Sequence, residues 1–157
     1  MTAGRVVRVV LVLLAVVQGT VGGWALLAPE SFYRDFPGGG RGWVALLPEY
    51  NEHLTRDVGA LSLSLTLVLV AAAVTMERTL VQVALAATAI YAVPHTLFHA
   101  LHLEGFPESD AIAQTAVTIA QVVLVVVALL LSTRLQRRAP VDQRHRDERV
   151  AQTIRRT

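Results

Sequence analysis

Three histidines fall within the stretch Pro94-His95-Thr96-Leu97-Phe98-His99-Ala100-Leu101-His102, late in a long apolar segment. In a helix each residue turns ~100°, so His99 lies ~40° from His95 and His102 ~20° on its other side. The three imidazoles then share one narrow face. A fourth histidine, His53, opens the preceding apolar segment, with Asp57 one turn further in. A charge at mid-depth in a bilayer costs on the order of 2.5–3.5 kcal/mol, so intramembrane ionisable groups mark functional sites.

Three kinds of chemistry suit such a cluster. The first is metal or haem binding. Histidine is the commonest nitrogen ligand, and an i, i+4 pair on one helix face is a recurrent metal geometry. His53, Asp57, His95 and His99 would then be the ligands of zinc, copper or non-haem iron. In a bis-histidine haem site, His53 and either His95 or His99 would be the axial pair. The second kind is proton or small-ligand handling without metal, as in the relays of transporters. Four spans are few for a transporter, so such a chain would serve as a subunit of a homo-oligomer or larger membrane complex. The third is helix packing, with His99 and His102 at the interface and His95 bonded to Asp57 or Gln114. Glu52, Arg56, His102, Tyr91 and Gln114 form a second tier of ligand-binding candidates around the four first choices. The pattern does not specify a reaction.

The elements that must position these groups are membrane spans. The chain has 157 residues, 54% of them hydrophobic, with a mean hydropathy of +0.51. That is too apolar for an ordinary soluble domain of this size. Four apolar stretches, at 6–28, 54–76, 80–101 and 111–132, each reach the ~20 residues that a crossing helix needs. The first follows Arg5 and Arg8 as a signal peptide would. It runs on through Trp24 without a small-x-small cleavage site, so it reads as a retained span. The fold expected is an all-α, up-down-up-down bundle of four transmembrane helices over 1–133, followed by an Arg-rich tail over 134–157.

With no cysteine, disulfides, thiol catalysis and Cys-ligated centres are excluded. All 14 basic residues are arginine, and eight of them lie beyond the last apolar stretch. This explains the sequence pI of 9.7 as a topology signal. Mixed charges in the tail, without interleaved aromatics, argue against nucleic acid and for contact with an anionic leaflet of the lipid bilayer. Arg5, Arg8, Arg78 and the tail fall on one side of the four-pass arrangement, against Arg34, Arg41 and Arg56 on the other. The positive-inside rule therefore puts both termini in the cytoplasm. His53 and Asp57 then lie at the same outer depth as His95, His99 and His102. The tight turn Met76-Glu77-Arg78-Thr79 makes the second and third spans antiparallel neighbours, which would bring the two histidine faces together.

Smaller signals complete the picture. Ala15, Gly19, Gly22 and Gly23 in the first span form a small-xxx-small packing face, with Gln18 beside it near mid-depth. In the first outer loop, Pro29 to Phe36 reads as a short interfacial helix with Phe32 and Phe36 at i, i+4, stopped by Pro37-Gly38. Gly38 to Gly42 reads as a plain loop, and Trp43, Leu46 and Leu47 as an interfacial belt. Pro94 is expected to kink the third span. Gln114, Thr118 and Gln121 make a polar stripe on the fourth.

The string Ala28-Pro29-Glu30-Ser31-Phe32-Tyr33…Phe36-Pro37-Gly38, with Tyr50-Asn51-Glu52-His53-Leu54-Thr55-Arg56-Asp57-Val58-Gly59-Ala60, resembles small four-helix bacterial membrane proteins of the DoxX-like kind. Pro94-His95…His99…His102 looks like its companion motif. The resemblance implies a four-helix bundle in the inner membrane whose second span opens with Asn51, His53, Arg56 and Asp57. It implies no particular activity.

Overall fold

The computed structural model describes residues 2–47 and 49–135. Most of the expected Arg-rich tail, from 136 on, lies outside them. Among the described residues there are five helices and no strand: α1 (Ala3–Leu27), α2 (Pro29–Asp35), α3 (Glu52–Thr75), α4 (Arg78–Leu101) and α5 (Glu108–Ser132). Helices α1, α3, α4 and α5 are 24 or 25 residues long and apolar. At ~1.5 Å per residue each exceeds the ~30 Å hydrocarbon layer. The chain is a multi-pass membrane protein built as a four-helix bundle, with α2 lying in the connection between α1 and α3.

Local chemistry sets the helix ends. Asn51 caps α3, its side-chain oxygen accepting from Leu54 N at 3.0 Å. Glu77 caps α4 by accepting from Thr79 N at 3.0 Å and Leu80 N at 2.7 Å. Between these helices Met76 adopts φ 50°, which closes the tight turn expected there. Pro94 sits inside α4, which runs on through it to Leu101.

The main apolar cluster sits at one end of the bundle, with only Ala25, Phe32 and Ala92 buried among the hydrophobics elsewhere in the described residues. Its buried members are Val7 to Ala15 of α1, Leu69 to Ala73 of α3, Val81 to Leu85 of α4, and Val125 and Ala128 of α5. All belong to the half nearest the chain termini and the α3–α4 turn. In the other half, at the loop end, the buried side chains include Gln18, Ser62, Asp110 and Gln114.

Helix α3 packs most extensively on α1, and α4 on α5; α3 meets α4 over a smaller area. The reason is a close glycine crossing. A Cβ on Gly59 would lie 2.5 Å from Leu26 N, and one on Gly22 would lie 2.8 Å from Ser62 Cβ. Gly19 abuts Thr66, whereas Gly23 of the expected packing face has nothing near it. Arg56 strengthens the same contact by donating to the Leu26 carbonyl near the end of α1. The loop end of α3 is thereby drawn onto α1.

An aromatic cluster fastens the first loop. Trp24 packs on Phe32 and Phe36, those two rings lie 5.0 Å apart, and Trp43 packs edge-on against Phe36. Trp24 Nε1 donates to Ser31 Oγ at 3.2 Å, which donates to Asp35 at 3.0 Å. The stretch 38–42 is more than a plain loop. Gly42, at φ 59°, lies so close to the Arg34 carbonyl that a Cβ would come within 2.9 Å of it. Trp43 N donates to Phe36 O at 2.7 Å, and Arg41 reaches across to Asp110 of α5.

Candidate polar seam between two helices

The histidine-bearing face of α4 continues its core stripe. Val81, Ala84, Leu85, Thr88 and Ala92 are buried, and Tyr91, His95 and His99 follow on the same face, half-buried. Their rings form a ladder. Tyr91 and His95 are stacked at 5.1 Å, and His95 meets His99 edge-on at 4.5 Å.

Helix α5 supplies the facing side. His99 Nδ1 lies 3.0 Å from Gln114 Oε1. A carbonyl oxygen only accepts, so Nδ1–H donates. Gln114 is 2% exposed, and its Nε2 is buried without a hydrogen-bond partner among the described residues. Thr115 Oγ1, next in sequence, is also buried and unpaired. Below them Thr96 Oγ1 donates to Thr118 O at 3.2 Å, holding the two helices together. One turn above Gln114, Asp110 is paired with Arg41. The result is a polar seam: Arg41, Asp110, Gln114, His99, His95, Tyr91.

His53 and Asp57 are not part of it. They pair with each other at 3.3 Å on the surface of α3, with side chains 87% and 56% exposed. Among the described residues, no hydrogen bond, ion pair or ring contact joins either of them to His95, His99 or His102. The convergence expected from the α3–α4 turn is corrected by the glycine crossing, which gives the loop end of α3 to α1. The four-ligand metal reading is not met: among the described residues, no three His, Asp or Glu side chains are grouped as a metal ion would require.

His102 is the exposed C-cap residue of α4. Its ring stacks on Phe98 at 4.0 Å, and Nδ1 lies 2.8 Å from the Phe98 carbonyl. There Nδ1–H satisfies one of the carbonyls left free at a helix C-terminus. Glu52 and Arg56 form an i, i+4 pair at 2.9 Å. They line a separate polar groove at the loop end with Ala28, Pro29, Glu30, Ser31, Arg34 and Tyr50. Partial desolvation, then the carboxylates of Glu52 and Glu30, raise the Tyr50 phenol above its ordinary 10.0, with Arg56 opposing them.

Sequence reasoning placed Tyr91, His95, His99 and Gln114 among its candidates, and the structure brings those four together. It missed Arg41 and Asp110. The available signal was weak: Asp110 has a ready excuse as an acid in the first turn of α5, and Arg41 looked like one more loop charge.

No family model matches the chain, and neither a curated protein nor a solved structure matches it.

Proposed function

We propose that this chain is an inner-membrane protein, both termini cytoplasmic, that binds a small hydrogen-bonding ligand in the α4–α5 seam. The observation that carries the reading is the buried, unpaired end of the Gln114 amide. Leaving such a group unsatisfied costs about 1–3 kcal/mol, and bilayer hydrocarbon offers no water to relieve it. A ligand oxygen that accepts from this amide, beside His99 and the stacked His95 and Tyr91, would relieve that cost. Amphipathic rings on one side and amide donors on the other suit a small polar molecule with an acceptor oxygen, taken up for transport or for redox chemistry elsewhere. The DoxX-like resemblance is kept as part of this proposal and adds no activity to it.

A second reading has its own support. The His99–Gln114 bond joins two helices, as polar side chains in membrane bundles do, so the chain would be an accessory subunit with packing histidines. Native mass spectrometry of the detergent-purified protein separates the two. The ligand reading expects a co-purifying small molecule that is lost in Gln114→Leu and His95→Phe but kept in His53→Ala. The same spectrum in all four proteins, with or without a bound mass, refutes it in favour of packing.

A further inference from the structure

Asp110 is the only buried charged side chain among the described residues, and its counter-ion lies 69 residues away in sequence. Arg41 comes from the loop between α1 and α3, with its side chain 49% exposed against 10% for Asp110. The pair therefore stands where water gives way to the protein interior. Directly beneath it on the same face of α5 is Gln114, one turn on, and from Gln114 the seam runs to His99 and His95. The chain on one side of Arg41 is a glycine run with open space around it. Gly38, Gly39 and Gly40 all have positive φ, and a Cβ on any of them would meet nothing within 4 Å. On the other side it is anchored by Gly42 against the Arg34 carbonyl and by Trp43 on Phe36.

We propose that Arg41 and Asp110 form a latch over the water-facing mouth of the seam, through which a water-soluble ligand reaches Gln114. A glycine run ahead of Arg41 gives the loop freedom to lift, and the anchor after it returns Arg41 to the same place. A buried carboxylate is costly without its partner, so the closed state is favoured. The half-exposed guanidinium keeps the pair open to screening by salt. What passes the latch rests on the ligand-binding reading; the latch itself does not.

The absence of cysteine makes the test direct. Gln114→Cys places a single thiol at the top of the seam, to be labelled with a water-soluble maleimide in detergent, where both ends of the bundle are accessible. Adding Arg41→Ala should raise the labelling rate at least about tenfold, and Arg41→Lys by less, since the closed population falls with the strength of the pair. A double change, Arg41→Ala with Asp110→Asn, opens the latch without leaving a bare buried charge. Leu85→Cys, fully buried in the apolar core, should stay unlabelled in every background, which separates a lifted loop from an unfolded bundle. If Arg41→Ala loosens the whole bundle, the double variant decides. Rates within about twofold of the intact latch there overturn the proposal. Labelling requires no ligand, so a failed search for a co-purifying molecule leaves this result standing, and a failed latch leaves the ligand reading standing.

Discussion

His99 of α4 and Gln114 of α5 are joined through Nδ1 and Oε1 at 3.0 Å, while His95, one turn deeper, makes ring contacts and no hydrogen bond among the described residues. The two histidines therefore carry different structural duties. Hydrogen bonds between membrane helices contribute about 0.6 kcal/mol on average and up to about 1.7. His99→Ala also leaves the whole Gln114 amide unpaired, so it should destabilise by about 1–2 kcal/mol. His95→Phe keeps the stack on Tyr91 and should stay within about 0.5 kcal/mol of the parent. His53→Ala, on an exposed pair, should do the same. Thermal melts of the three variants in one detergent check the ranking, and equal losses at positions 99 and 53 would contradict it.

The α1–α3 crossing makes a sharper claim on packing. An added methyl on Gly59 would collide with backbone, Leu26 N at 2.5 Å, which cannot rotate away. Gly59→Ala should therefore cost about 1–3 kcal/mol, the range for overpacking a close contact. Gly23→Ala, with open space around the added carbon, should be neutral or slightly stabilising through its better helix propensity. A denaturant titration of both variants against the parent is sufficient. Comparable behaviour of the two would mean that α1 and α3 do not cross at Gly59.

At the loop-end groove the expectation concerns pH. Desolvation and the carboxylates of Glu52 and Glu30 hold Tyr50 neutral beyond its ordinary range. Glu52→Gln removes one of those carboxylates and frees Arg56 to favour the phenolate. Tyr50 should then ionise at lower pH than in the parent. A folded value above the unfolded one means that this tyrosine supports folding fully below about pH 10, and that its support is lost as pH rises through the raised value. Tyrosinate absorbance of the parent, Glu52→Gln and Tyr50→Phe assigns the step. An unmoved or raised midpoint in Glu52→Gln would show that the carboxylate does not act on Tyr50.

What was legible in the chain follows from how local each feature is. The four spans depend on runs of neighbouring residues, and α1, α3, α4 and α5 fall where the runs do. Helix α2 was announced by Phe32 and Phe36, four apart, and the α3–α4 turn by Met76 to Thr79. The α4 ladder needed only helical spacing, but its partner was misassigned: the expected bond from His95 to Asp57 or Gln114 is not made, and it is His99, one turn on, that meets Gln114. Neighbour choice was not local. A short turn says that α3 and α4 are adjacent at one end, but the crossing of Gly22 and Gly59 decides where α3 leans at the other. That single preference moved His53 and Asp57 out of the histidine site. The Arg41–Asp110 pair depends on the first loop meeting the first turn of α5 in space, and neither residue carries in its own neighbourhood any mark of the other.

The placement of apolar packing in the terminal half has a mechanical consequence. The molecule resembles a pair of tongs, gripped firmly where α1, α3, α4 and α5 pack Val7, Leu11, Leu69, Leu85 and Val125 together. Its arms meet through polar contacts, a glycine crossing and the aromatic cluster of the first loop. Apolar grip and polar contact therefore occupy different ends of one short bundle.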